Sequence, residues 1–427
     1  MAYITGTATD HLDMLDIIVK SACGYGSFSA PSAKTMGGTS TYGHIDARGV
    51  LVDERVETFL NTVTETFTVT CINASSNGAE VWSVSGSSSG AQPDATTGIL
   101  YSNSLVAFLI SDSTTSGDIQ VGNNFVFNTS QGPAKTEGVE WTLEVDEGFP
   151  DHSSIADVVK ILKGKGTSGT DEIYVALRAY SSSGGDYYNI LVAGMTGYMT
   201  GPRQFVNGST YTCMPLWGSV TQPAPLKYWI SVKARRVAVS VKVNLTYVNM
   251  YFGLLIPYAT PSEYPYPLVI AAGTATVTQQ YSDQVHHFDS FSCPKSSSSV
   301  PSATNSSMKY LTPAGDWRGV ANYYASGTNE YATSASSDHI TPTQSGGLAG
   351  RSNSVLFDSE NGSRDLYPLV LGSSVVGVLG ELEGCYWVTG AGSVSAEDYL
   401  TVGGDVYDIF QNVYRQEWYD YWCLERS

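Results

Sequence analysis

A mainly β protein, built from several antiparallel β-sandwich-like domains with a short N-terminal amphipathic helix, is what this sequence predicts. Three observations lead there. Val237, Val239, Val241 and Val243 fall on one side of an extended chain, and Ala238, Ser240, Lys242 and Asn244 on the other. That two-residue period is the pattern of a half-buried strand. Stretches of this kind recur along the chain between Gly, Ser and Asn turns, as in sandwiches. Finally, only 15% of the residues are charged, well below the usual quarter. Gly, Ser, Thr and Tyr take the place of charge, a turn-rich and strand-rich composition.

Taken in order, Asp10 to Cys23 read as the clearest helix. Leu12, Leu15, Ile18 and Val19 share one face, and Thr9 or Asp10 can cap the N-terminus. This stripe docks on its own domain or on a neighbouring subunit. A Gly- and Ser-rich loop follows, then a short helix or strand over 52–62. Residues 1–62 therefore form an N-terminal helix and docking arm. Residues 63–130 read as a small β module, with alternation at Phe67–Cys71, Val81–Ser85 and Val106–Ile110. A hairpin or bulge is expected around Gly122 and Asn123.

Residues 131–270 form the main β-sandwich domain. Its hairpins are Glu172–Tyr180 with Tyr187–Met195, and Tyr228–Val232 with Val237–Val243 around the Lys233–Arg236 turn. Beyond them, Tyr258, Tyr264 and Tyr266 interleave with Pro257, Pro261, Pro265 and Pro267. Proline fixes φ and donates no hydrogen bond, so this is an ordered aromatic loop rather than a central strand or helix. Residues 271–365 are Ser/Thr/Gly-rich loops and extended segments. Trp317, Tyr323, Tyr324 and Tyr331 within them point to order gained by packing. Residues 366–427 return to β pattern as a C-terminal hairpin region, with a Gly403–Asp405 turn and an aromatic end carrying Trp418, Tyr421 and Trp422. Such an end is buried in the core or at an interface.

The formal charge of −18 argues against a dedicated nucleic-acid surface, because phosphate contacts need clustered Lys and Arg. Lys160, Lys163 and Lys165 are the nearest approach to a basic patch and read as a solvated face. The first residues lack a basic and then apolar leader pattern, and no apolar run is long enough for a membrane helix. The six cysteines, Cys23, Cys71, Cys213, Cys293, Cys385 and Cys423, are widely spaced. They read as free, mostly buried thiols rather than disulfides or a zinc site.

Candidate chemistry is sparse. Asp283, His286, His287 and Asp289 have metal-like residue types, but in a strand His286 faces away from His287 and Asp289. Glu381 and Glu383 lie two apart on a predicted strand, as an acid/base pair for glycan cleavage would; an exposed acidic strand is the simpler reading. No nucleophile elbow, phosphate loop or dinucleotide fingerprint occurs. The expectation is a non-enzymatic protein with no cofactor and no metal.

Several segments carry a resemblance. They are Tyr228–Trp229, Arg235–Arg236, Tyr251–Gly253, Pro257–Pro261 and Tyr264–Pro267, with the start at Met1–Lys20 and the end at Gly380–Gly384, Val402–Asp405 and Phe410–Arg415. Together they cover about half the chain, and it resembles a family of virion structural proteins from tailed bacteriophages, associated with the tail and baseplate. The resemblance implies a building block made in the bacterial cytoplasm and kept in the virion, whose partners are copies of itself and other virion structural proteins. Interface candidates are Leu12, Leu15, Ile18, Arg235, Arg236, Tyr258, Tyr264, Tyr266, Trp418, Tyr421 and Trp422. A receptor-binding or host-adhesion protein, with a host surface glycan as partner of the 63–130 module, is the alternative. A head decoration or collar protein is another.

Overall fold

The computed structural model describes residues 2–24, 57–58, 64–129, 141–148, 158–275, 306–320, 339–341, 357–358, 363–388, 394–411 and 421–426, apart from short breaks at 77, 98, 103–104, 111–118, 182–186, 200–203, 218–224 and 374–375. The fold is mainly β, with several antiparallel sheets and one short helix. The chain divides into two compact units, Met1–Gly24 with Thr136–Ser427, and Tyr25–Lys135.

In the larger unit, the first sheet has seven strands. Their order is Ala2–Ala8, Leu226–Lys233, Arg236–Val243, Thr246–Leu254, Leu268–Ala271, Met308–Leu311 and Trp317–Val320. The second sheet runs Thr212–Trp217, Tyr188–Met195, Glu172–Ser181, Val158–Lys165 and Thr142–Gly148. The third runs His339–Thr341, Tyr367–Ser373, Gly377–Val388, Tyr421–Glu425, Asp405–Gln411 and Tyr399–Val402, with Ile256–Pro257 added on Gly377–Val388.

The first sheet is the middle layer. Gly194 of the second sheet lies directly against Trp317, Leu268 and Ile270 of the first. On the opposite face, Ala238, Tyr251 and Val269 share a core with Leu369, Trp387 and Trp422 of the third sheet. The Arg236–Val243 strand is consequently buried on both faces, and only Lys242 is partly exposed. This corrects the half-buried reading. Ala238 and Ser240 alternate with valine because they face a second packed layer, not water.

The helix spans His11–Ala22, and the Asp10 carboxylate accepts the Asp13 N–H at 2.8 Å. This cap satisfies one of the donors every helix N-terminus leaves open. Leu15 and Ile18 are buried within their own unit, and Leu12 is half-buried. The helix packs on the Ala2–Ala8 and Leu226–Lys233 strands and on the second sheet. It therefore belongs to the 136–427 unit rather than to a separate arm. Residues 131–270 and 366–427 likewise share one core instead of forming two domains.

The smaller unit contains a four-stranded sheet, Gly90–Thr96, Val81–Gly86, Glu65–Asn73 and Asn124–Thr129. A three-stranded sheet, Glu57–Thr58, Val106–Leu109 and Leu100–Ser102, accompanies it. Phe67, Trp82, Phe108, Phe125 and Phe127 fill the core. The Trp82 indole N–H donates to Thr97 Oγ1 at 2.9 Å, so its burial leaves no polar atom unmet. Glu65–Asn73 and Asn124–Thr129, the earliest and latest strands of this sheet in the chain, pair antiparallel, with Glu65 opposite Thr129.

Candidate functional site

The most distinctive surface of the larger unit is a corner where the proline-rich loop crosses the third sheet. Ile256 and Pro257 pair with Glu381 and Gly380. The Tyr258 N–H donates to Leu379 O at 2.9 Å, and the Tyr258 hydroxyl donates to Glu381 at 3.2 Å. The crossing depends on Gly380, since a Cβ there would lie 2.2 Å from Ile256 O. The corner presents Ile256, Tyr258, Val376 and Val378, exposed by 42%, 57%, 50% and 60%. Val378 lies two residues from Gly380, and Val376 leads into the same strand. Four large apolar side chains on one corner are more than singly scattered surface residues.

Around this corner the loop is fastened down. Tyr264 is fully buried, and its hydroxyl donates to Leu311 O. Thr260 N–H and Oγ1 both bond Glu263, which closes the turn and holds that carboxyl below its usual range.

Two polar clusters join the first and third sheets. At one, Lys233 pairs with Glu425 at 2.9 Å and with Glu383 at 3.6 Å. Beneath it Arg236 is fully buried, and its Nη1 donates to Ser231 O at 2.6 Å. Burial pushes the neighbouring Cys385 thiol up to about 12, against the pull of Arg236. At the other, Glu397 accepts from Lys242 at 2.6 Å, from Tyr247 at 2.7 Å and from Lys227. Burial works to raise its pKa, but the hydrogen bonds from Lys227, Lys242 and Tyr247 win and hold it at about 2. Glu397 also has φ of 73°, a left-handed conformation costly for a residue other than glycine.

A test follows from this cluster. A carboxyl with a lowered folded pKa contributes stability that is present above its unfolded value near 4.5 and is lost as pH falls toward 2. Glu397→Gln is expected to lower the melting temperature at pH 7 and to converge on the parent in melts taken at successively lower pH. A constant offset at every pH would show that the charge is not what matters.

No protein-family model matches this chain, and no curated protein does so either.

The residues anticipated as contacts are distributed unevenly. Tyr258 is exposed, and Arg235, Tyr266 and Leu12 are half-buried. Leu15, Ile18, Arg236, Tyr264, Tyr421 and Trp422 lie in the core of their own unit, so they hold the fold rather than present a docking surface. Arg236 sits at a hairpin end, yet the third sheet covers that end, which the local sequence does not reveal. Trp418 lies outside the described residues, as do Cys293 and the Asp283, His286, His287 and Asp289 group. Cys23, Cys71, Cys213, Cys385 and Cys423 are buried thiols outside any disulfide.

Glu381 and Glu383 take different partners, Tyr258 and Lys233, on either side of buried Leu382. Lys160 is buried, and Lys163 is bridged to Glu144 at 3.0 Å and Glu172 at 3.6 Å, so these lysines do not form an open basic face. Among the described residues no group of three or more His, Cys, Asp or Glu is placed to hold a metal ion. No described helix is long and apolar enough to cross a membrane. Sequence reasoning missed Ile256, Val376 and Val378. The run Leu369–Leu379 is apolar and rich in valine, and only the Gly377 turn within it hints that its middle is exposed.

Proposed function

We propose that this chain is a non-enzymatic structural subunit of a tailed-phage virion, in the tail or baseplate. It assembles with copies of itself and with other virion proteins. The observation that carries this reading is the apolar corner of Ile256, Tyr258, Val376 and Val378. Of its four side chains, Tyr258 lies in Pro257–Pro261, one of the segments that bear the resemblance to phage virion proteins, and the other three precede such segments. A rigid three-layer body with an apolar corner is suited to repeated contact. Four side chains fall short of the ~800 Å² per partner of a standard interface, so this corner is one contact among several in an assembly of symmetric copies.

Electron microscopy of purified particles with gold-labelled antibody against residues 63–130 tests the location. Label at the distal tail supports the reading; label on the head or neck moves the protein to the decoration or collar class. Absence from particles by mass spectrometry removes the structural reading altogether. The double change Tyr258→Ser and Val378→Ser tests the corner. It is expected to leave the melting temperature of the free protein unchanged and to lower incorporation into particles by at least about tenfold, corresponding to about 1.4 kcal/mol. Normal incorporation would exclude the corner as an assembly contact.

A further inference from the structure

Glu80 of the smaller unit is a buried acid with one oxygen unmet. It stands immediately before the Val81–Gly86 strand and is only 3% exposed. Its Oε1 accepts the Gly78 N–H at 3.1 Å, while Oε2 is buried and accepts from no described residue. Glu65, also buried in this unit, shows the contrast. One of its oxygens accepts the Ser88 and Ser89 N–H groups, both at 2.9 Å, and the Ser89 hydroxyl at 3.0 Å. Nor does the sequence around Glu80 supply a positive side chain, since residues 57–134 contain no lysine, arginine or histidine. A buried carboxylate is tolerated only when its charge is matched or its oxygens are bonded. Two ways of meeting Oε2 remain, a proton or a cation.

The segment between the Glu65–Asn73 and Val81–Gly86 strands favours the cation. Asn73, Ser75 and Ser76 are exposed there and offer amide, hydroxyl and carbonyl oxygens. The chain turns tightly. Asn73 Oδ1 accepts the Ser75 N–H at 2.9 Å, Ser76 O accepts the Ala79 N–H at 3.1 Å, and Gly78 has φ of 78°. Asn73, Ser75 and Gly78 stand at the first, third and sixth places of the spacing by which calcium loops wrap their ion, where the glycine makes the sharp turn. Metals that prefer sulfur and nitrogen are not served, because Cys71 is the one cysteine of residues 57–134 and no histidine accompanies it. Neutral oxygens around a single carboxylate suit a hard cation, which needs no cluster of acids.

We propose that Glu80, with oxygens of Asn73, Ser75 and Ser76, binds calcium. Glu80 Oε2 is the one anionic ligand, and water completes the shell. A single carboxylate sets the affinity at the weak end of calcium sites, about 10⁻³ M. The site belongs to the smaller unit itself and does not rest on a place in a virion.

Thermal melting of the full-length protein tests it, after stripping with a chelator and addition of calcium, magnesium or sodium chloride at matched ionic strength. Calcium at about tenfold above that affinity is expected to raise the melting temperature by roughly 2–4 °C, magnesium by less and sodium not at all. Terbium luminescence sensitised by tryptophan reports occupancy directly and is expected to fall as calcium displaces the probe. Glu80→Gln keeps the shape, removes the charge and is expected to abolish both responses. Should that variant fail to fold, Asn73→Asp carries the test. A second carboxylate is expected to tighten calcium binding at least tenfold, and unchanged affinity would overturn the site. No stabilisation of the parent by calcium, or equal stabilisation of a folded Glu80→Gln variant, overturns it as well. Glu80→Gln melting above the parent, with no calcium response in either, would assign the buried oxygen a proton instead.

Discussion

Replacing Lys309 with methionine is expected to change the pH dependence of stability strongly between pH 7 and 10.5. Lys309 is fully buried at the seam of the first and second sheets, and its ammonium has one described hydrogen bond, to Tyr211 O at 2.8 Å. Burial lowers its pKa from 10.5 to about 7, with a smaller opposing effect from Cys213. The unfolded chain therefore binds a proton between pH 7 and 10.5 that the folded chain does not. Stability rises with pH across that window. The penalty is full at pH 7 and below, and is gone above 10.5.

Methionine has nearly the same shape and no charge. Its advantage over lysine should be largest at pH 7 or lower, where each decade of lowering corresponds to about 1.4 kcal/mol. The bond to Tyr211 O is lost at every pH, at about 1 kcal/mol. The variant should thus melt above the parent at pH 7 and below it at pH 10.5. Parallel melting curves over that range would mean that Lys309 reaches water in solution. Direct titration of its side-chain nitrogen by NMR in the parent protein checks the same point without a substitution.

The second large effect is expected at Gly253. Its φ is 124°, and a Cβ there would lie 2.2 Å from Arg235 O and 2.6 Å from the Arg236 Cα. Both obstacles are backbone, held in register by the pairing of Gly253 with Arg236 and by the Leu254 N–H to Arg235 O bond at 2.9 Å. No rotamer change can relieve them. Gly253→Ala is expected to cost more than about 4 kcal/mol, seen as loss of soluble protein or a drop of at least about 8 °C in melting temperature. Gly315 also has positive φ, 90°, but a Cβ there meets nothing within 4 Å. Gly315→Ala should cost about 1 kcal/mol. Equal effects at the two sites would show that backbone conformation, not crowding, sets the cost at Gly253.

Much of this architecture is legible in sequence because two-residue alternation is a local signal. The strands at Glu65–Asn73, Val81–Gly86, Glu172–Ser181 and Arg236–Val243 announce themselves within a few residues. So does the helix, whose cap and apolar stripe lie within a dozen positions. What local pattern cannot state is how many layers cover a strand. Ala238 and Ser240 look like a solvent-facing set until the third sheet is placed over them. The same blindness hides Arg236, read as a turn residue and found in the core. Strands without clean alternation, such as Gly90–Thr96 with its proline and Val158–Lys165 with its lysines, were invisible for a related reason. Their identity comes from the partners they pair with. The apolar corner and the Glu397 cluster join residues more than a hundred positions apart, which no local window brings together.

The smaller unit enters its four-stranded sheet at Glu65 and leaves it at Thr129, on neighbouring antiparallel strands. The Glu57–Thr58 strand of the same unit comes earlier in the chain and pairs with Val106 and Ala107, so the exchangeable cassette is the whole of Tyr25–Lys135. The helix before it and the strands after it carry their own cores, so its sequence can drift, shorten or be replaced by another domain while the three-layer body keeps its fold. Selection on whatever the cassette touches is thereby separated from selection on the body. Chimaeras that trade residues 25–135 for an unrelated sandwich should fold, and they offer a direct way to reassign what this protein binds.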